Sequence, residues 1–296
     1  MSAVRARHRP WIKTGHAGAD DSRVGRLLKL ASAAVVGIVL GVALYVGLVQ
    51  TGLASDPFSP IARGDLSLAR SSRSGMRVLF VGNSFTYENS MPSLVHKLAA
   101  ADSKTRPIFS VEYAKGGWLL QQAAQDRGLT KLLREIIWDD VVLQEQSQLL
   151  SFPLPQWRRE TYPYGESLDE KIRFGGARTL LFMTWGYKLG DRRNDPHDTY
   201  LAMQGRLRSG YTNLGTGLAA GVVPVGLAWS EALRRNPRLP LWADDGRHPS
   251  LQGSYLAACV FYAYLTKRSP VGNRFTAGLP PARAHLLQSV AAEFRN

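Results

Sequence analysis

The chain has 296 residues, of which 45% are hydrophobic, 20% charged and 9% aromatic, and its formal net charge is +14. This composition is too apolar for a disordered polymer, and the length suffices for one large domain or two small ones. The single cysteine, Cys259, excludes an intramolecular disulfide and a cysteine-based zinc cluster. The basic excess would suit either a nucleic acid or a membrane surface, so its distribution along the chain matters.

The first 55 residues combine a basic tail with a long uncharged run. Residues 1–29 carry seven Lys and Arg against two Asp, which accounts for five of the fourteen net charges. Residues 30–49 are Ala, Val, Gly, Leu and Ile with one Ser and one Tyr. At about 1.5 Å per residue they span roughly 30 Å, the thickness of the hydrocarbon core of a bilayer. We predict a cytoplasmic tail over 1–29 and a transmembrane signal-anchor over 30–50, which exports the remainder. The alternative is a cleaved signal peptide and a secreted protein.

Residues 51–75 are rich in Ser, Gly, Pro and Arg and predict a linker. From residue 76 onward short apolar runs alternate with longer helical patterns, which predicts a single α/β domain over 76–296. The predicted strands are residues 77–81, 108–113, 140–144, 179–184 and 222–227. The predicted helices are residues 92–101, 119–137, 166–174, 200–220, 250–266 and 282–294, with an ordered loop over 151–164.

Several of these strands are nearly continuous runs of Val, Leu, Ile and Phe, as in strands that are buried on both faces of a parallel sheet. We therefore expect a three-layer α/β/α sandwich around a mostly parallel sheet of five strands. In open sheets of this kind ligands bind beyond the carboxyl ends of the strands. Those ends are where chemistry should be sought.

The first predicted strand runs directly into Gly82-Asn83-Ser84. A serine immediately after a strand, with a glycine two positions before it, can be exposed on a tight strand-to-helix turn. Its hydroxyl is then available for chemistry. The alternative is that Ser84 only caps the turn.

The second candidate feature is Asp245-Gly246-Arg247-His248, just before the last large helical pattern. Asp245 and His248 are three residues apart in a loop, so the carboxylate and the imidazole can meet. A carboxylate on one ring nitrogen fixes the tautomer and leaves the other nitrogen free as a base. The alternative is a loop histidine that caps a helix.

Together these features give the order Ser…Asp…His, and the combination resembles the SGNH (GDSL-like) hydrolase family. Gly82-Asn83-Ser84 is similar to the first block of that family, usually Gly-Asp-Ser, and the segment 245–248 is similar to its last. Gly117, which follows the second strand, is similar in position to the glycine of the second block. The resemblance spans residues 76–270. It implies a flavodoxin-like fold, a catalytic triad of Ser84, Asp245 and His248, and an oxyanion hole that includes the backbone N–H groups of Ser84 and Gly117.

The third block departs from the family, which usually shows Gly-x-Asn-Asp with an asparagine that helps to bind the oxyanion. Here the third strand is followed by Gln144-Glu145-Gln146-Ser147-Gln148, and the chain resembles a divergent SGNH-like branch with a Leu-Gln-Glu-Gln-Ser run and a later Thr-Trp-Gly. A glutamine amide offers the same N–H donor on a longer arm. Gln146 is therefore the candidate third oxyanion donor, with Gln144 and Gln148 as alternatives. Trp118 and Trp185 are candidates for a substrate-binding cleft, with ordinary packing as the alternative.

The resemblance implies a serine esterase without cofactor or metal, acting on small-molecule or carbohydrate esters. With the membrane anchor predicted from residues 1–50, O-acetyl groups of the cell envelope are the candidate substrates. We expect a cell-membrane location with an extracytoplasmic catalytic domain. No nucleic-acid partner is expected, because the remaining nine net charges are spread without a long basic run. The alternative is a non-catalytic SGNH-like module that binds an envelope glycan, and the altered third block favours it.

Overall fold

The computed structural model describes residues 60–71 and 74–295. The predicted tail over 1–29 and the predicted transmembrane segment over 30–50 lie outside the described residues. Among the described residues, no helix is both long enough and apolar enough to cross a bilayer.

The described residues form one sheet of six strands in the spatial order β1-β3-β2-β4-β5-β6. The strands are β1 (Arg63–Gly64), β2 (Met76–Gly82), β3 (Ile108–Ala114), β4 (Asp140–Leu143), β5 (Arg178–Phe182) and β6 (Gly221–Val223). Strands β2 to β6 are parallel to one another. The chain order of the strands reverses at β2, with β3 on one side and β4 on the other. The loops that follow β2, β3 and β4 therefore meet beyond the carboxyl ends of these strands. This is where open α/β sheets bind their ligands.

The prediction of five strands is wrong by one, because β1 adds a sixth at the edge of the sheet. Arg63 pairs with Glu112 and Gly64 with Val111, and this pairing is antiparallel. Two residues are too few to give a periodic pattern in the sequence. The sheet thus begins inside the segment 51–75 that the sequence analysis assigns to a linker.

The helices lie on both faces of the sheet. They are α1 (Leu66–Ser71), α2 (Ser84–Tyr87), α3 (Met91–Ala100), α4 (Leu120–Gln125), α5 (Arg127–Glu135), α6 (Leu154–Glu160), α7 (Tyr162–Phe174), α8 (Tyr200–Leu218), α9 (Val225–Arg235), α10 (Leu251–Thr266) and α11 (Pro281–Ala291). The predicted helix over 119–137 is broken at Asp126, whose side chain accepts a hydrogen bond from the N–H of Leu129 and caps α5.

Two further segments differ from the sequence analysis. The predicted strand over 222–227 ends at Val223, and α9 begins at Val225, because Pro224 cannot donate to a strand ladder. The predicted loop over 151–164 contains α6 and the start of α7. Each of these helices has a proline in its first turn, where the missing N–H costs no intrahelical hydrogen bond.

Helix α10 lies at the centre of the core, and residues 253–263 are all buried. The Phe261 ring packs edge-to-face against Phe80 of β2 and Phe182 of β5, with ring centroids 5.1 and 4.9 Å away. Cys259 lies on the same helix, and burial raises the pKa of its thiol, as expected for a core cysteine rather than a nucleophile. This packing fixes α10, and the loop before it, against the sheet.

Two glycines of α8 provide a matched test of how closely this helix approaches the loop after β4. A Cβ on Gly210 would lie 2.1 Å from the carbonyl oxygen of Leu150, whereas a Cβ on Gly205 would meet no atom within 4 Å. We expect Gly210→Ala to lower the free energy of unfolding by about 1–3 kcal/mol, since the backbone must move. Gly205→Ala should raise it by roughly 0.5–1 kcal/mol, since alanine loses less conformational entropy in a helix. Urea unfolding of the two variants measures both effects, and equal effects would contradict the close approach at Gly210.

Candidate active site

The turn that presents Ser84 requires a glycine at position 82. A Cβ on Gly82 would lie 2.4 Å from Thr86 Oγ1 and 2.6 Å from Gln144 Oε1. Asn83 then caps α2, because its Oδ1 accepts a hydrogen bond from the N–H of the residue after Ser84. Ser84 is therefore the first residue of a helical turn directly after β2, and its side chain is half-buried.

The buried side chain of Gln144 supports this turn from β4. Its Oε1 accepts hydrogen bonds from the N–H of Asn83 and from Thr86 Oγ1, both at 2.9 Å. Its Nε2 donates to the carbonyl oxygen of Glu145 at 2.5 Å. Gln144 thus uses its amide oxygen and one of its two amide N–H groups within the fold, and its role as an alternative oxyanion donor stays a prediction.

The structure brings Ser84, His248 and Asp245 into one line of hydrogen bonds. Ser84 Oγ lies 2.9 Å from His248 Nε2, and His248 Nδ1 lies 2.5 Å from Asp245 Oδ2. With the Nδ1–H directed to the carboxylate, the neutral ring presents Nε2 as the acceptor for the serine hydroxyl. This separation is within the reach of proton transfer.

The carboxylate of Asp245 is held in its ionised form. Partial burial works against ionisation, but hydrogen bonds from the backbone N–H of Arg247 and from the ring and backbone N–H of His248 outweigh it. Together they hold the pKa of Asp245 below its ordinary value. An ionised carboxylate at this place favours the protonated imidazole that forms when the serine gives up its proton.

The loop that carries His248 is anchored to the residues after β5. Trp185 Nε1 donates to the carbonyl oxygen of Arg247 at 3.0 Å, and the N–H of Lys188 donates to that of Gly246 at 2.8 Å. Gly246 has a φ of +69°, a conformation that glycine adopts without strain. The backbone of the loop is therefore fixed at two successive carbonyls beside the histidine.

The structure does not support a substrate contact for either predicted tryptophan. Trp185 is 0% exposed, and its ring stacks between Phe85 and Trp229 at centroid distances of 4.7 and 4.1 Å. Trp118 is 6% exposed, and its carbonyl oxygen accepts a hydrogen bond from Asn83. Both rings pack in the core because the ends of parallel strands are covered by the loops that follow them. Trp185 instead holds the His248 loop against the Ser84 turn.

Two backbone N–H groups are available near the serine. Within the described part of the chain, neither the N–H of Ser84 nor that of Gly117 donates a hydrogen bond. Gly117 is exposed, has a φ of +68°, and a Cβ on it would meet nothing within 4 Å. The loop after β3 thus leaves open space at Gly117, next to the turn of Ser84.

Gln146, the predicted third oxyanion donor, is half-buried in the loop after β4. Its Oε1 accepts a hydrogen bond from the N–H of Gln148 at 2.8 Å, and its Nε2 donates to Gln148 Oε1 at 3.3 Å. One N–H of the amide remains for another acceptor. Its role in binding an oxyanion stays a prediction.

Glu145 is a site residue that the sequence analysis did not select. Its side chain is 1% exposed, and its Oε1 accepts hydrogen bonds from the N–H of Leu120 at 3.1 Å and of Gln146 at 2.7 Å. Its Oε2 accepts from Thr161 Oγ1 at 2.8 Å. Burial raises the pKa of Glu145 to about 7, despite these three hydrogen bonds. The carboxyl group ties the loop after β3 to the loop after β4.

Asn89 is a second residue that the sequence analysis did not select. Its Nδ2 donates to the carbonyl oxygen of Pro249 at 3.1 Å and to Ser254 Oγ at 3.0 Å. Asn89 and Ser90 both have a φ of +53°, which is costly for residues other than glycine. These two left-handed residues direct the chain so that Asn89 joins the serine segment to the residue after His248. A sequence pattern could have signalled only the asparagine, which tolerates this conformation better than most residues.

Ser84 follows the strand β2 and contacts His248, whose other ring nitrogen contacts the carboxylate of Asp245. This arrangement is found in serine hydrolases. The carboxyl edge of the sheet is also where such a fold places its chemistry. Among the described residues no group of three or more His, Cys, Asp and Glu could hold a metal ion. The chain is thus an α/β protein in which Ser84, His248 and Asp245 are joined by hydrogen bonds beyond the carboxyl ends of the strands.

Comparisons with solved structures find proteins of similar fold. A proposed SGNH hydrolase from Slackia heliotrinireducens is 27% identical over 64% of this chain and 97% of its own, with a TM-score of 0.53. A DUF4886 family protein from Bacteroides uniformis has a TM-score of 0.60 at 20% identity and covers 74% of this chain and 94% of its own. No protein-family model and no curated protein matches the sequence. The similarity to the Slackia protein supports the resemblance of the sequence motifs to the SGNH (GDSL-like) hydrolase family.

The raised pKa of Glu145 predicts a dependence of stability on pH. A carboxyl group with a pKa near 7 in the folded chain and 4.5 in the unfolded chain favours folding when protonated. This contribution is fully present below pH 4.5 and is lost as the pH rises through 7. Glu145→Gln removes the titration. Between pH 5 and pH 8 the wild type should therefore lose about 2–3 kcal/mol of unfolding free energy relative to this variant.

Urea unfolding of both proteins at the two pH values measures this difference. The comparison cancels the other titrating groups, because both proteins contain them. A wild type that gains stability relative to Glu145→Gln as the pH rises would contradict the raised pKa that burial gives this carboxyl group.

Proposed function

We propose that the protein is a serine esterase that hydrolyses carboxylic ester bonds with Ser84 as nucleophile, His248 as general base and Asp245 as its partner. The observation that carries this proposal is the 2.9 Å contact between Ser84 Oγ and His248 Nε2, in a ring whose Nδ1 meets a carboxylate. If Ser84 only capped the turn, its contact with His248 would be unexplained. If His248 only capped a helix, its contact with Asp245 would be unexplained.

The proposed reaction begins when Ser84 Oγ attacks the ester carbonyl carbon while His248 Nε2 takes the hydroxyl proton. The negative charge that develops on the carbonyl oxygen is stabilised by the N–H groups of Ser84 and Gly117, with the amide of Gln146 as a third donor. Each such donor is typically worth about 10²–10³ in rate. The intermediate then collapses, the bond to the alcohol oxygen breaks, and His248 returns the proton to that oxygen.

Water completes the cycle. It attacks the acyl-serine while His248 again accepts a proton. The ester bond to Ser84 then breaks, His248 returns the proton to Ser84 Oγ, and the carboxylic acid is released. Asp245 remains ionised throughout and favours the imidazolium in both halves of the reaction, in keeping with its lowered pKa. No cofactor is needed for this sequence of steps.

For the substrate, we propose acyl esters of carbohydrates, with O-acetyl groups of the cell envelope as the candidate. Support comes from the openness of the site: the side chains of His248 and Asp245 are 38% and 44% exposed, so an ester on a bulky carrier can reach them. Support for the envelope comes from the sequence of residues 1–50, whose basic tail and apolar run favour a membrane anchor with the catalytic domain outside the cytoplasm.

Replacement of the nucleophile tests the proposed function. We expect Ser84→Ala to lose ester hydrolysis and covalent labelling by a fluorophosphonate probe, because the alcohol that forms the acyl bond is removed. The matched control is Ser209→Ala, an exposed serine of α8, which should keep both. Hydrolysis of 4-nitrophenyl acetate and the labelled fraction are the two measurements.

Two results would reject the proposal. Undiminished activity of Ser84→Ala would exclude this residue as the nucleophile. Absence of both hydrolysis and labelling in the folded wild-type protein would favour the non-catalytic glycan-binding module instead.

A further inference from the structure

A cleft of about 470 Å³ opens directly beside the His248 loop. It is lined by residues 187–193, which follow β5, and by residues 244–247, which lead into His248. Its volume lies within the range of small-molecule sites. The cleft adjoins the candidate active site, since Asp245 lines the cleft and also contacts His248.

The walls of the cleft carry four cationic side chains: Lys188, Arg192, Arg193 and Arg247. Within the described residues, none of them lies within 4.0 Å of a carboxylate, whereas arginines elsewhere, such as Arg178 and Arg206, are ion-paired. The Arg247 guanidinium lies 5.2 Å from the centroid of a tyrosine ring of the same cleft, Tyr187, which holds it by a cation–π contact. Arg192 Nε donates a hydrogen bond to the carbonyl oxygen of Leu189 at 3.1 Å, which leaves its other guanidinium N–H groups for a ligand. The positive charges of the cleft therefore have no carboxylate partner in the described part of the chain.

The carboxylates of the cleft compensate these charges only in part. Asp245 is engaged by His248, and Asp191 is buried and accepts a hydrogen bond from Asn194 at 2.6 Å. Asp244 is exposed and lines the same cleft. The cleft thus presents more unpaired positive than negative charge, beside the residue that would move the proton.

The loop that carries Arg192 and Arg193 is held by hydrogen bonds to a buried carboxylate. Buried Asp198 accepts the N–H of Asp191 at 2.6 Å and both terminal nitrogens of Arg206 at 3.0 and 2.6 Å. Hydrogen bonds from Arg206 hold the pKa of Asp198 below its ordinary value. The backbone of this loop is therefore fixed, which lowers the entropic cost of using its cations for binding.

The chemistry of the site decides which part of an ester enters the cleft. His248 must return a proton to the alcohol oxygen of the leaving group, so the alcohol part lies on the side of His248. The N–H of Gly117, which faces the carbonyl oxygen, belongs to the loop after β3 instead. The cleft is formed by the His248 loop and its neighbour, so it receives the alcohol part of the ester.

We propose that this cleft binds a carboxylate on the alcohol part, which makes the substrate an acyl ester of an acidic sugar. This inference rests on the proposed esterase function and refines its substrate class. A carboxylate there meets several unpaired cations, while the short acyl group remains at the serine. Two or three partly exposed ion pairs together favour the acidic substrate by roughly tenfold.

A pair of matched substrates tests the proposal with the full-length protein. Acetylated methyl glucuronoside and acetylated methyl glucoside differ in one carboxylate, and acetate release gives kcat/KM for each. We expect kcat/KM to be about tenfold higher for the glucuronoside, and we expect added salt to reduce the preference, because salt screens exposed charges.

The variant Arg192→Gln/Arg193→Gln should bring the ratio of the two kcat/KM values close to one. The matched control is Lys131→Gln/Arg134→Gln, which removes the same charge from exposed residues of α5 that do not line the cleft. It should leave the ratio unchanged.

Equal kcat/KM values for the two sugars in the wild type, with Ser84-dependent turnover of both, would overturn the acidic-sugar inference and leave the esterase function in place. A preference that survives Arg192→Gln/Arg193→Gln would also overturn it. Loss of all turnover and of fluorophosphonate labelling in the wild type would instead reject the esterase function itself.

Discussion

The buried side-chain amide of Gln144 connects the sheet to the turn that carries Ser84. Because β2 and β4 are parallel neighbours, the end of β4 places Gln144 directly under the turn that carries Ser84, and its Oε1 receives both the N–H of Asn83 and the hydroxyl of Thr86. A buried polar group must find partners or pay the cost of desolvation, so the turn and the strand end fix each other. The position of the serine thus depends on the register of the two strands.

The other loops of the site are joined in the same way, by polar groups that are satisfied inside the protein. Glu145 holds the loop after β3 to the loop after β4, and Trp185 holds the loop after β5 to the histidine loop. Asn89 joins the segment after Ser84 to the histidine loop by a hydrogen bond to the carbonyl oxygen of Pro249. The reactive side chains are half-exposed, but the groups that position them are mostly buried. This division gives an open site with a rigid frame.

The sequence allowed the parallel sheet to be predicted, because apolar runs are local signals. The motif resemblance selected Ser84, Asp245 and His248, which the structure brings within hydrogen-bond distance. It could not reveal that Trp185 is core, since a tryptophan after a strand can line a cleft or stack beneath a loop with equal ease. Glu145 was missed for a similar reason: its importance arises from donors that are distant in sequence, such as Leu120 and Thr161. The two-residue strand β1 is too short for any periodicity, and the strand predicted over 222–227 ended early because Pro224 interrupts its apolar run.

The two contacts of His248 differ greatly in the length of chain that they close. Its bond to Asp245 spans three residues, whereas its bond to Ser84 spans 164. The histidine–aspartate pair can therefore form within one loop at little entropic cost, while Ser84 reaches it only after the sheet and α10 have assembled. A partly folded chain would hold a histidine–aspartate pair but no activated serine. Reactivity of the serine would then appear late in folding and would report on the whole domain rather than on one loop.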